Sequence, residues 1–162
     1  MQSDFHNVPR INGVPQKYGA KFKAGNALFD RERMNFSVDV AGAYDSAGVD
    51  QWIRSFTLHP DGNGLVIKDN FKLSEVIANN QYNFMCAHRP DFSQPGNVYF
   101  MVSEERLVLQ YDPAVFIAEA ESMQMTDSRL SNVWGPEIYR PRLKAKKKPG
   151  NGSYIFKIKT TK

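Results

Sequence analysis

Cysteine occurs once in the 162 residues, at Cys86, so the chain can form no internal disulfide and no zinc site made of several thiolates. Histidine is nearly as scarce: His6, His59 and His88 lie too far apart for the i, i+4 ligand pair that a helix can present. No apolar run approaches the roughly 18 residues needed to span a membrane, which argues against a membrane partner. Met1 to Ala20 lacks the basic start and apolar stretch of a secretory signal, and the compartment stays open on this reading. Phosphate-cradling G-x-x-x-x-G-K-[ST] and dinucleotide-binding G-x-G-x-x-G are both missing. The G-x-S-x-G nucleophile elbow of α/β-hydrolases is absent as well. No segment sustains a 3.6-residue apolar period, so long helices are not expected.

What is present is punctuation. Asn12-Gly13, Gly25-Asn26, Asp61-Gly62-Asn63-Gly64, Gln94-Pro95-Gly96-Asn97, Asp112-Pro113 and Pro149-Gly150-Asn151-Gly152 separate short runs rich in β-branched and aromatic residues. That spacing indicates an all-β sandwich or barrel. The strand candidates are Val8–Asn12, Ala27–Phe29, Asn35–Val40, Trp52–Leu58, Leu65–Phe71, Tyr82–Ala87, Val98–Val102, Leu107–Tyr111, Phe116–Glu121, Ile138–Lys144 and Tyr154–Lys159. In Leu65–Leu73 the odd positions are apolar except Asp69, while Lys68, Asn70 and Lys72 alternate with them, the period of a strand with one wet face. Leu58–Leu65 reads as a hairpin, because its turn residues tolerate positive φ. Helix is limited to one short turn in Ala41–Val49 and another in Asp127–Val133. With 41% hydrophobic residues and no linker or repeat, residues 1–162 are expected to form one antiparallel two-sheet β-sandwich domain.

Few residues point to chemistry. His59 sits at a hairpin approach and His88 at a strand end, where satisfied structural histidines are the rule. Glu104-Glu105 falls in a hairpin turn and Glu119/Glu121 on one strand face, and both read as surface charge. Trp52, Trp134, Tyr44 and Tyr139 suit either a sugar-stacking platform or the filling of a sandwich core, and their pattern favours the core. Arg140 and Arg142 share a strand face, which fits a fork for carboxylate or sulfate and equally fits arginines neutralised by nearby acids. The net charge of +4 is concentrated in Lys144–Lys148, which reads as a solvated hairpin loop rather than a nucleic-acid contact, since no recognition motif accompanies it.

Taken in order, F-H-N-V-P-R-I-N-G-V-P-Q from Phe5, Y-G-A-K-F-K-A, F-S-V-D-V-A-G-A-Y, W-I-R-S-F-T-L, L-V-I-K-D-N-F and D-S-R-L-S-N-V-W-G-P-E-I-Y-R resemble the carboxyl-terminal β-sheet region of heparinase II/III-like polysaccharide lyases. The resemblance runs from about Phe5 to Ile158 and rests on order and spacing rather than on any single motif. It implies a β-sandwich that accompanies an α/α toroid, and cleavage of uronic-acid polysaccharides such as heparin or heparan sulfate by β-elimination. It further implies that the catalytic Asn or Glu, Tyr and His come mainly from the toroid and the earliest sandwich strands, so that no catalytic residue is assigned in this chain. By the same resemblance His6, in His6-Asn7, matches one ligand of a structural zinc site whose other ligands, an earlier histidine and aspartate, have no counterpart here. The relatives are exported to the periplasm or beyond.

The expectation is therefore a sandwich fragment of a lyase, whether from a split gene, a frameshift or a cloned piece. It would hold no zinc and no other cofactor by itself and would be inactive alone. Arg140, Arg142, Trp134 and Tyr139 are the candidate contacts to an acidic polysaccharide. The rival expectation is a free-standing carbohydrate-binding module for acidic glycans. Bare sheet edges would invite pairing between copies of the chain.

Overall fold

The computed structural model describes residues 3–161. Its strands are β1 (Pro9–Arg10), β2 (Gly25–Asp30), β3 (Asn35–Asp39), β4 (Val49–Leu58), β5 (Gly64–Leu73), β6 (Gln81–Asn83), β7 (Asn97–Val102), β8 (Glu105–Gln110), β9 (Phe116–Gln124), β10 (Glu137–Ala145) and β11 (Asn151–Thr161). One antiparallel sheet runs β2–β3–β4–β5–β11–β8–β7 and a smaller one runs β1–β6–β10–β9. The two-layer all-β architecture is the expected one. Of its three short helical segments, two fall where the sequence places them, a 3₁₀ turn at Ala41–Ala43 and the helix α1 (Ser128–Trp134), while a further 3₁₀ turn at Ser3–Phe5 lies outside those expectations. Asp127 caps α1 by accepting the Arg129 N–H at 2.9 Å, and Gly135 ends it at φ 87.

The Leu58–Leu65 hairpin forms as its turn residues dictate. His59 N–H donates to the Gly64 carbonyl at 2.8 Å, and Gly62 takes φ 73, a conformation that costs a glycine little. Tyr82–Ala87 departs from the sequence reading. Strand β6 stops at Asn83, and pairing with β10 continues through one backbone bond from Phe84 N–H to Pro141 and an isolated antiparallel bridge in which Cys86 and Tyr139 exchange two bonds. The local reason is Asn7, whose Oδ1 accepts the Met85 N–H at 2.7 Å and occupies the side where another strand would pair.

Period-two alternation sends Trp52, Ile67, Phe71, Tyr154 and Phe156 inward from the large sheet, against Tyr82, Phe116 and Leu143 of the small one. The aromatic rings interlock, with Tyr82 and Phe156 centroids 4.5 Å apart and Trp52 and Phe71 stacked at 4.6 Å. Removing one such ring to alanine costs about 3–5 kcal/mol. Trp52 and Tyr44 belong to this core, as their pattern favours, whereas Trp134 is 56% exposed.

The small sheet covers only the middle of the large one. Along the cross-strand row Phe156, Ile67, Phe56, Phe36 and Phe29, exposure climbs from 0% at Phe156 to 66% at Phe29. The opposite flank of the large sheet, at β7, is left open over a cavity.

Candidate functional site

Strand β10 alternates Arg140 and Arg142 outward with Pro141 and Leu143 inward, and the register sets Arg140 opposite Glu121 and Arg142 opposite Glu119. Arg140 pairs with Glu121 and donates to the Asp4 carbonyl at 3.0 Å, while its guanidinium lies 5.4 Å from the Phe5 ring centroid. Arg142 meets Glu119 at 2.9 Å and Glu121 at 3.3 Å. The Arg140 hydrogen bond holds the Glu121 carboxyl below its usual range, with Arg142 adding to the effect. Of the two readings open in the sequence, the geometry matches arginines neutralised by neighbouring acids. An incoming sulfate would have to displace Glu119 or Glu121.

Tyr139 shares the parity of Pro141 and Leu143, so it stands on the other face of β10 from the two arginines. Its hydroxyl donates to Glu137, which raises the phenol pKa and lowers that of the carboxyl. Trp134, at the end of α1, lines a cavity of about 850 Å³ together with Leu130, Phe100, Val102 and Met85. The four candidate glycan contacts are thus divided among the outer face of the small sheet, its inner face and the cavity.

The sequence carries no signal of that cavity, because its wall is assembled from β7, α1, the segment after β6 and the amino-terminal turn. It has the volume and apolar lining of a ligand pocket. His6, Cys86 and His88 also line it. Burial pushes the Cys86 thiol up to about 11, so it is a thiol rather than a nucleophilic thiolate at neutral pH.

A zinc ion at His6, which the resemblance implies, would need further ligands close by. Zinc takes three or four nitrogen, sulfur or oxygen ligands from the protein. Among the described residues no group of three or more His, Cys, Asp or Glu side chains converges on a point, so the residues present do not fit that site. His59 bonds Asp61 at the exposed hairpin tip, 2.8 Å away.

Behind His6 lies a feature whose sequence signal was an aspartate on the apolar parity of β5. Asp69 faces Arg54 in direct register between β4 and β5, with both side chains buried and Nε 3.6 Å from Oδ1. Burial raises the Asp69 pKa against the opposing pull of Arg54, Tyr82 and Trp52. Arg54 Nη1 reaches the Asn7 carbonyl at 3.4 Å. This pair anchors the segment carrying His6 to the large sheet; closed off from solvent, it offers no reacting group to a substrate.

No protein-family model matches the chain, and no curated protein matches it in sequence. Solved structures match its fold. The heparan sulfate lyase HepC from Pedobacter heparinus superposes at a TM-score of 0.67 with 14% identity, covering 98% of this chain and 24% of the lyase. A mutant of that enzyme gives the same figures. A heparinase III gene product with methylated lysines gives a TM-score of 0.68 at 14% identity, covering 99% of this chain and 24% of its own. The chain therefore spans about a quarter of the length of the lyases whose fold it shares.

Proposed function

We propose that this chain forms the β-sandwich region of a polysaccharide lyase that cleaves uronic-acid-containing polysaccharides of the heparan sulfate type by β-elimination, and that it has no turnover alone. The observation that carries this reading is the fold likeness over nearly the whole chain to lyases four times as long. β-Elimination needs a base for the proton beside the uronate carboxylate and fixed positive charge or donors for the enolate. Among the described residues the candidate cations Arg140 and Arg142 already have carboxylate partners. In this reading the base and the groups that stabilise the enolate come mainly from an α/α toroid and the earliest sandwich strands, and the family's zinc site would take His6 as only one of its ligands.

The test incubates heparan sulfate with the isolated chain and follows the ultraviolet absorbance of the unsaturated uronate product. No rise is expected from the chain alone. Sustained product formation by the chain alone would overturn the division of labour. A second reading, a binding module for acidic glycans, is favoured by the unneutralised lysines of the large sheet and predicts binding without product.

A further inference from the structure

The two outer sheet faces differ in how their arginines and lysines are partnered. On the small sheet each outward arginine of β10 stands opposite a glutamate. On the large sheet the outward residues of β5 and β11 include Lys68, Lys72, Lys157 and Lys159, all exposed, and no acid. Lys72 alone has a neighbouring carboxylate, Asp50 of β4 at 3.5 Å. Among the described residues, Lys68, Lys157 and Lys159 form no ion pair.

Their placement forms a line. In the β5–β11 register Lys72 lies beside Asn151, Lys68 beside Ile155, and Lys157 beside Val66, so the cations follow one another along the strand pair. From Lys72 to Lys159 the row extends about 27 Å, at roughly 3.4 Å per residue of antiparallel strand. Lys68 and Lys157 are diagonal neighbours roughly 7–8 Å apart, Lys157 and Lys159 follow about 6.8 Å apart on one strand and Lys72 stands about 13.6 Å from Lys68, so the central lysines concentrate positive potential for a linear polyanion.

We infer that the outer face of β5 and β11 is a binding track for a linear acidic polysaccharide, distinct from the Arg140/Arg142 ladder and from the cavity beside Trp134. The class of polyanion follows from the neighbours of the lysines. Ser55, Asn70 and Ser153 stand beside them and offer hydroxyl and amide groups that suit sugar hydroxyls and sulfates. The rings of β5 and β11, at Phe71, Tyr154 and Phe156, all point into the core, leaving those strands without the outward aromatic platform on which nucleic-acid bases stack. The assignment rests on the acidic-polysaccharide reading of the protein and adds which face carries the chain.

The experiment measures heparin binding by the full chain at low and moderate salt, comparing wild type with the paired variant K68E/K157E and with K21E/K23E, which changes net charge equally but lies in the loop before β2. The track predicts affinity roughly tenfold or more weaker for K68E/K157E, a shallower salt dependence, and a much smaller change for K21E/K23E. Equal weakening by both variants, or none by K68E/K157E while wild type binds, overturns the track and leaves the glycan reading standing. Absence of wild-type binding overturns both. Displacement of heparin by single-stranded DNA as effectively as by heparan sulfate, at equal charge concentration, overturns the choice of polysaccharide. The K68E/K157E positions are exposed, and an unchanged thermal midpoint verifies that loss of binding is not loss of fold.

Discussion

Asn12 illustrates what a single residue does in this fold. It is 2% exposed and takes φ 53, one of the few non-glycine residues in the left-handed region. Its Nδ2 donates to the Ala47 and Glu75 carbonyls, its Oδ1 accepts from the Ile77 and Ala78 N–H groups, and its own N–H donates to Asn80. Four backbone groups from two distant segments thus depend on one carboxamide. Asn12→Ala leaves them buried without partners and puts a Cβ-only residue at positive φ. A loss of about 3 kcal/mol or more is expected in urea denaturation. Asn12→Gly relieves the backbone but not the lost bonds, and should recover only part. In the sequence Asn12-Gly13 reads as a turn, which it is. That its side chain ties the 74–80 segment to the rest required knowing what packs above it.

At the scale of elements, the two flanks of the large sheet differ. On β7, the Tyr99 N–H and carbonyl both bond Asp91, so that edge is partly closed. On β2 the described residues supply no second neighbour, and the strand shows Leu28 and Phe29 at 69% and 66% exposure. A register irregularity between Gly25 and Leu28, with Asn26 at φ 54, bends this edge, a device that hinders pairing with another sheet. We propose that the residual hazard is self-association through β2. Phe29→Lys is expected to reduce concentration-dependent light scattering with little effect on the folding midpoint, because the ring lies mostly in solvent. An unchanged scattering curve would place any association elsewhere. The edges themselves could be named in the sequence, since the alternating runs were visible, but which strand ends a sheet follows from strand order, and order is a long-range pairing.

For the whole molecule, the aromatic core makes stability depend on alkaline pH. Burial is the leading cause that raises the pKa of Tyr44, Tyr82 and Tyr154 above the ordinary 10.0 of an exposed phenol. A raised folded-state pKa means that the stability tied to the neutral phenol is fully present below pH 10.0 and is lost as pH rises beyond it. The expected result is a stable fold through neutral pH and unfolding in strong alkali, with the tyrosinate absorbance of these three residues appearing together with loss of the circular-dichroism signal. Ionisation of every tyrosine well before unfolding would contradict the packing described for Tyr82. The opposite sign applies to Glu121, lowered chiefly by its bond to Arg140. Its contribution is present above 4.5 and fades as pH falls through the folded value. Exposure limits its size.

Local physics carried much of this protein's description. Turn residues that accept positive φ, alternation that assigns one face of each strand to the core, and the near absence of cysteine and helical period were enough for an all-β sandwich with its hairpins and two short helical turns. They also set Arg140 and Arg142 on one face and marked Asp69 as an oddity. Tertiary structure alone decided that Glu119 and Glu121 neutralise those arginines, that Tyr139 and Trp134 stand apart from them, and that Lys68, Lys157 and Lys159 form one unpaired row. Alternation is a property of the chain at each point, whereas the partner of a charge depends on which strand lies beside it, and that is fixed by hydrogen-bonded register between segments far apart in sequence.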